Sequence, residues 1–99
     1  MHYVYILQSE KTEQYYVGQT PDLELRLKFH NELSESSFTS RHRPWKLLLS
    51  IPVNNGSEAV LVERYIKGRK SKSYIQQLIE QERAVEKLLR RFNISPPSE

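Results

Sequence analysis

The run Tyr3-Val4-Tyr5-Ile6-Leu7, followed by Tyr15-Tyr16-Val17-Gly18, decides how the rest of the chain is read. Aromatic and β-branched residues fit a pleated strand. Two such runs split by the polar stretch Gln8–Gln14 predict a β-hairpin, with strands at about 2–8 and 14–19. Residues 3–7 are apolar on both faces, which predicts a covered strand rather than an edge. Tyr5 and Tyr16 then stand on neighbouring strands, and Gly18 lies just past them.

Downstream, Thr20-Pro21 has the form of a helix N-cap with proline at the first helical position. The helix it opens is expected to reach about Leu33. At 100° per residue Leu23, Leu27 and His30 share one arc, with Arg26 at its edge, and that arc should face the hairpin. Leu25 and Phe29 fall on the other side and call for a second cover. Residues 34–44 read as a polar, Ser-rich loop ending at Arg43-Pro44. Trp45, Leu47, Leu49, Ile51 and Val53 then alternate as a third strand, and Pro52 places its end at an edge or beyond the pairing. Asn54-Asn55-Gly56 is a turn, and Ser57 can cap a helix over about 58–68 that Gly68 interrupts. A last helix starts at Ser71 or Ser73 and runs to about Phe92, with Ile75, Leu78, Ile79, Val85, Leu89 and Phe92 as its stripe. Val85, Leu88, Leu89 and Phe92 match the uncovered Leu25 and Phe29, which predicts docking of the last helix on the first within one chain, with an exchanged or paired helix of a homodimer as the runner-up. Residues 94–99 are expected to fray. Together this is one α+β domain, a small, mostly antiparallel three-stranded sheet flanked by helices with an extended C-terminal helix.

The 99 residues suit one domain with a modest core, and there is no cysteine for a disulfide or thiolate metal site. No apolar run approaches the roughly 20 residues of a membrane span, and no signal peptide is visible. A cytoplasmic location without membrane attachment is the expectation. The formal net charge is +3. Its distribution is more informative. Arg64, Lys67, Arg69, Lys70 and Lys72 follow one another with no acid between Arg64 and Ile79, and Arg41, His42, Arg43 and Lys46 surround Trp45. Basic clusters with interleaved aromatics suit a polyanion; a solvated basic surface is the other reading.

Several side chains carry chemistry that would serve phosphodiester cleavage. That reaction needs an activated water, positive charge on the phosphorane-like transition state and a stabilised leaving oxygen. Tyr5 and Tyr16 are candidates near the water, although strand tyrosines also serve as core or cross-strand pairs. Arg26 offers a planar guanidinium to phosphate oxygens, or is an ordinary surface arginine. His30 could donate to phosphate or move a proton, or be structural, and Asn31 is a further polar candidate. Glu63 lies within a turn of Ala59, Val60 and Ile66 and so turns inward. A buried carboxylate needs a partner, either a metal ion or an ion pair with Arg26 or Arg64. Gly18 either ends a strand or keeps the backbone open to a substrate. Trp45 reads as core rather than as a base-stacking platform.

Tyr3-Val4-Tyr5, Tyr16-Val17-Gly18, Arg26-x-x-x-His30 and Glu63 after the third strand together resemble the GIY-YIG nuclease superfamily, in its small, single-domain bacterial branch. The resemblance covers residues 2–79, with Phe38–Trp45 similar to the loop before the third strand in that branch. Two departures stand out. Tyr3 replaces the glycine of Gly-Ile-Tyr, and Tyr74 stands where the branch carries further lysines. The resemblance implies residues 1–79 as the nuclease-like domain and 80–99 as a helical extension and tail of the same domain. It implies a metal-dependent endonuclease acting in DNA repair or processing, with Tyr5, Tyr16, Arg26, His30 and Glu63 catalytic and Glu63 holding Mg²⁺ or Mn²⁺. Gly18, Asn31, Arg41, Arg43, Lys46, Lys67, Arg69, Lys70 and Lys72 would contact nucleic acid, DNA ahead of RNA, with a protein partner or homodimer to add selectivity. The alternative is a non-catalytic nucleic-acid-binding or repair-accessory module with a vestigial site.

Overall fold

The computed structural model describes residues 1–33 and 38–97. Strand β1 (His2–Ser9) lies between β2 (Tyr15–Thr20) and β3 (Trp45–Val53) in a sheet of order β2-β1-β3, antiparallel throughout. The central place of β1 follows from its apolar residues on both faces. Val4 and Ile6 enter one core, Tyr5 and Leu7 the other, and all four are buried. Pro52 is accommodated because β3 is an edge. A register shift between Ile6 and Leu7 marks a β-bulge opposite Leu48.

The larger core packs Val4, Ile6, Val17, Ile51 and Val53 under α3 (Gly56–Arg69), α4 (Lys72–Glu80) and α5 (Glu82–Arg91). The smaller one gathers Tyr5, Leu7 and Trp45 under Leu23 and Leu27 of α1 (Leu23–Lys28). Here α2 is the short helix Phe38–Arg41, and its Thr39 carbonyl accepts the Trp45 indole N–H at 2.8 Å. Trp45 is therefore core, as its sequence context suggests.

Several boundaries differ from expectation for local reasons. The N-cap of α1 is Asp22, whose carboxylate accepts from Leu25 N, while Thr20 Oγ1 accepts from Asp22 N. Beyond Lys28 the helix widens into a π turn, Phe29–Leu33. Residues 34–37 of the expected loop lie outside the described residues, and its second half is α2. Asn55, not Ser57, caps α3 by accepting from Glu58 N, and α3 continues past Gly68 to a left-handed cap at Lys70. The single last helix is two, divided at Gln81 (φ −127°, ψ 113°). A straight helix from Ser71 to Phe92 would run about 30 Å at 1.5 Å per residue. The break folds the chain back, so that Leu78, Leu88 and Leu89 enter one core.

The last helix does not dock on the first. Val85, Leu88, Leu89 and Phe92 join the larger core, across the sheet from α1, and Leu25 stays 56% exposed. The expected frayed tail is partly held. Ile94 is buried, and the Ser95 carbonyl accepts from Asn54 Nδ2 at 2.9 Å; residues 98 and 99 lie outside the described residues. No helix among the described residues is long and apolar enough to cross a membrane.

Candidate active site

Tyr5 sits mid-way along β1 opposite Gly18 of β2, and Tyr16 opposite Leu7, so both phenols leave the sheet on the side of α1. His30, in the π turn, comes down onto them. Its Nε2 lies 2.8 Å from Tyr5 Oη, and its ring meets Tyr16 edge-on with centroids 4.8 Å apart. Arg26, one turn earlier, donates from Nε to Tyr5 Oη at 3.4 Å and lays its guanidinium over Phe29 at 4.5 Å. The sequence reading missed this role of Phe29; the Arg26/Phe29 spacing of three, which puts two side chains on one helix face, is the signal that carries it. Four of the five expected catalytic side chains thus converge.

Burial divides them. Tyr5 and His30 are each 1% exposed, whereas Tyr16 and Arg26 are half-buried. Desolvation pushes the Tyr5 phenol up to about 12, against the hydrogen bond from Arg26. Desolvation, reinforced by the Arg26 charge, pulls His30 down to about 4. Both are neutral near pH 7. Burial works against the charge of Arg26, but the phenols of Tyr5 and Tyr16 more than offset it and its pKa is raised. His30 Nδ1 is buried with no hydrogen-bond partner among the described residues.

Glu63 stands on α3 with its side chain 18% exposed, and its negative charge contributes to the rise in the Tyr5 pKa. Its ion-pair partner is Lys67, one turn along at 2.8 Å, rather than Arg26 or Arg64. Among the described residues no three or more His, Cys, Asp or Glu gather into a metal cage. A lone carboxylate supplies hard oxygen donors only. That suits a cation keeping most of its waters and taking further oxygens from phosphate, as Mg²⁺ does, and not one needing nitrogen or sulfur ligands.

The remaining expected contacts separate into groups. The room that Gly18 leaves is filled by Tyr5: a Cβ there would lie 2.5 Å from the phenol oxygen. Asn31 spends its amide on Trp45, accepting from the backbone N at 2.6 Å and donating to the carbonyl at 3.0 Å. Arg43 donates from Nε to the His30 carbonyl at 3.0 Å, bracing the π turn. Arg41 on α2 and Lys46 on β3 are exposed. Lys67, Lys70 and Lys72 line a groove of about 480 Å³ that starts at Tyr16 and runs between β2 and the α3–α4 junction. Arg69 points the other way, onto Tyr65 and Tyr74.

A family model described as the GIY-YIG catalytic domain matches residues 1–78. The chain belongs to the GIY-YIG family. This is a family of nucleases, and in this chain Tyr5, Tyr16, Arg26 and His30 form one hydrogen-bonded and stacked group. A UPF0213 protein of Lactococcus lactis subsp. cremoris is 33% identical over 88 residues, covering 89% of each chain. UPF0213 protein YsiG of Lactococcus lactis subsp. lactis is 40% identical over 67 residues, 67% of this chain and 62% of its own length. The structure-specific endonuclease subunit SLX1 of Meyerozyma guilliermondii is 46% identical over 50 residues, 46% of this chain but 17% of its own. The family match ends before α5 begins.

Proposed function

We propose that this GIY-YIG domain is a divalent-metal-dependent endonuclease cleaving phosphodiester bonds of DNA, with a role in repair or processing in the cytoplasm. The observation that carries the reading is the convergence of Tyr5, Tyr16, Arg26 and His30, with the Glu63 carboxylate near enough to act electrostatically on Tyr5. Arg26 and Tyr16, the half-buried pair, touch the substrate. Arg26 sets its guanidinium against the phosphate, where a planar fork matches two oxygens and stabilises the charge of the pentavalent state. Tyr16 orients the attacking water. Tyr5 and His30, both neutral near pH 7 and hydrogen-bonded to each other, fix Arg26 in its aim. A divalent cation held by Glu63 would supply Lewis-acid charge to a phosphate oxygen and the leaving group. Lys67 would stand beside that position.

The groove of Lys67, Lys70 and Lys72 beginning at Tyr16 supports a strand lying along it. The name of the relative from Meyerozyma guilliermondii supports two finer readings, a substrate selected by its shape and a protein partner. A second reading, a non-catalytic nucleic-acid-binding module, draws on the Lys67 ion pair that occupies Glu63.

One experiment tests both. Labelled single-stranded, duplex, flapped and branched DNAs and RNAs are incubated with the protein and Mg²⁺ or Mn²⁺, beside Glu63→Gln. The expected result is cleavage by the wild type that falls by orders of magnitude in Glu63→Gln while binding persists. Equal cleavage by the two proteins overturns the role of Glu63, and binding without cleavage on every substrate favours the accessory module.

A further inference from the structure

On the side of α3 away from Tyr16, helices α3, α4 and α5 enclose a cleft of about 250 Å³. Three cations line it: Arg69 from α3, and Lys87 and Arg91 from α5. No carboxylate lines it, and no ion pair holds any of the three among the described residues. The acids of α5, Glu82 and Glu86, turn instead to a separate cleft with Leu49 and Val85. Like charges so placed repel one another, and the aromatic rings between them offset part of this. The Arg69 guanidinium lies 4.5 Å from the Tyr74 centroid and donates to Tyr65 Oη at 3.2 Å, while Arg91 lies 4.7 Å from the Tyr65 centroid. The tyrosines hold the two guanidinium groups in fixed orientation, since their edge-to-face packing (centroids 6.1 Å apart, 80° between planes) ties them to the core.

We infer that this cleft is a second phosphate-binding site, which takes a backbone phosphate of the nucleic-acid strand engaged at Tyr16. The choice of nucleic acid rests on the function proposed above; the anion-binding geometry does not. Charge complementarity argues for the anion, because pre-oriented guanidinium groups without a carboxylate partner match phosphate oxygens. Continuity argues for nucleic acid. Lys70 and Lys72 line the Tyr16 groove and Arg69 and Tyr74 line this cleft, so the two open on either side of the α3–α4 corner. One strand can turn that corner and touch both. Lys87 and Arg91 lie beyond the stretch that the family model matches, so the site reaches outside the catalytic domain as that model describes it.

The test measures binding of a short fluorescein-labelled single-stranded DNA to the full chain by anisotropy, over a range of salt without divalent cation. The double variant Lys87→Ala, Arg91→Ala should weaken binding several-fold and flatten the slope of log K against log salt by about 0.7 for each phosphate no longer neutralised. The control Arg83→Ala, Arg90→Ala removes the same charge from the same helix outside the cleft and should leave the slope near the wild-type value. Thermal melting checks both proteins; Lys87→Glu alone, on an exposed side chain, repeats the test if the double variant is unstable. An unchanged slope in the cleft variants, or an equal fall in the control, overturns the site. Tighter binding of a polyglutamate peptide, abolished in the same variants, overturns the nucleic-acid assignment in favour of an acidic protein. Failure of the active-site reading appears elsewhere, as undiminished cleavage by Glu63→Gln.

Discussion

At the scale of single residues, the site rests on one cross-strand pair. Gly18 faces Tyr5 in the β1–β2 register, and its backbone has no positive φ, so the glycine answers a need for room rather than for an unusual conformation. A Cβ would lie 2.5 Å from Tyr5 Oη and 2.6 Å from Cζ, with Tyr16 at 3.1 Å. A long side chain can normally swing aside, but Tyr5 is buried and held at its tip by His30 and Arg26. Gly18→Ala should therefore cost about 1–3 kcal/mol, the range for overpacking a core. It should also move the phenol off His30. Urea unfolding gives the first effect, and the Tyr5 ring resonances report the second. An alanine variant as stable as wild type, with those resonances unmoved, means that the sheet yields instead. The motif reading fixed attention on Gly18, yet as a strand end or a path for substrate. Which side chain lies over it is a matter of register, and register is set by the turn at Ser9, where Oγ accepts from Lys11 N and Thr12 N.

At the scale of elements, the strands were legible and the helix ends were not. Period-two and doubly apolar patterns report directly on burial, so β1 as the centre and β3 as an edge followed from Val4-Tyr5-Ile6-Leu7 and Pro52. The convergence of Tyr5, Tyr16, Arg26 and His30 was legible through motif spacing. The π turn at Phe29–Leu33 was not, because apolar periodicity does not distinguish one wide turn inside a short helix. Nor was the break at Gln81, where no Gly or Pro stands; it comes from two amphipathic stripes both reaching the core. The end of α3 bears on the proposed function. Lys70 adopts φ 48°, ψ 43°, a cap position where glycine is the usual residue, and it lines the groove from Tyr16. A side chain in that conformation costs roughly 1–2 kcal/mol, while glycine there loses more chain entropy on folding. Lys70→Gly should thus raise stability by about 0.5–1 kcal/mol while weakening nucleic-acid binding. Thermal melting and anisotropy on the same sample check the pair of signs. A variant that gains stability and binds as before removes Lys70 from the groove's function.

At the scale of the whole molecule, the sheet separates two cores of unequal kind. The larger is aliphatic and closed by α3, α4 and α5; the smaller holds the phenol and imidazole on which the site depends. Both polar groups are neutral in the fold, and this ties global stability to pH at two edges. His30 is depressed to about 4 from an unfolded value near 6.5, so between those values the unfolded chain binds a proton that the native chain does not. Its contribution is complete above about 6.5 and is lost as pH falls toward about 4. At about 1.4 kcal/mol for each pH unit, the loss is on the order of 3 kcal/mol. Tyr5 gives the opposite edge. Its native value of about 12 exceeds the unfolded value near 10, so the unfolded chain releases a proton first, and stability falls as pH rises from about 10 toward about 12. The expected profile is a plateau between about 6.5 and 10 with a decline on either side. Urea unfolding at a series of pH values measures it. His30→Gln should flatten the acid limb without touching the alkaline one, and Tyr5→Phe should do the reverse, whatever either substitution does to stability on the plateau. An acid limb as steep in His30→Gln as in wild type would show that another group carries the proton uptake and that the imidazole is solvated in the native chain.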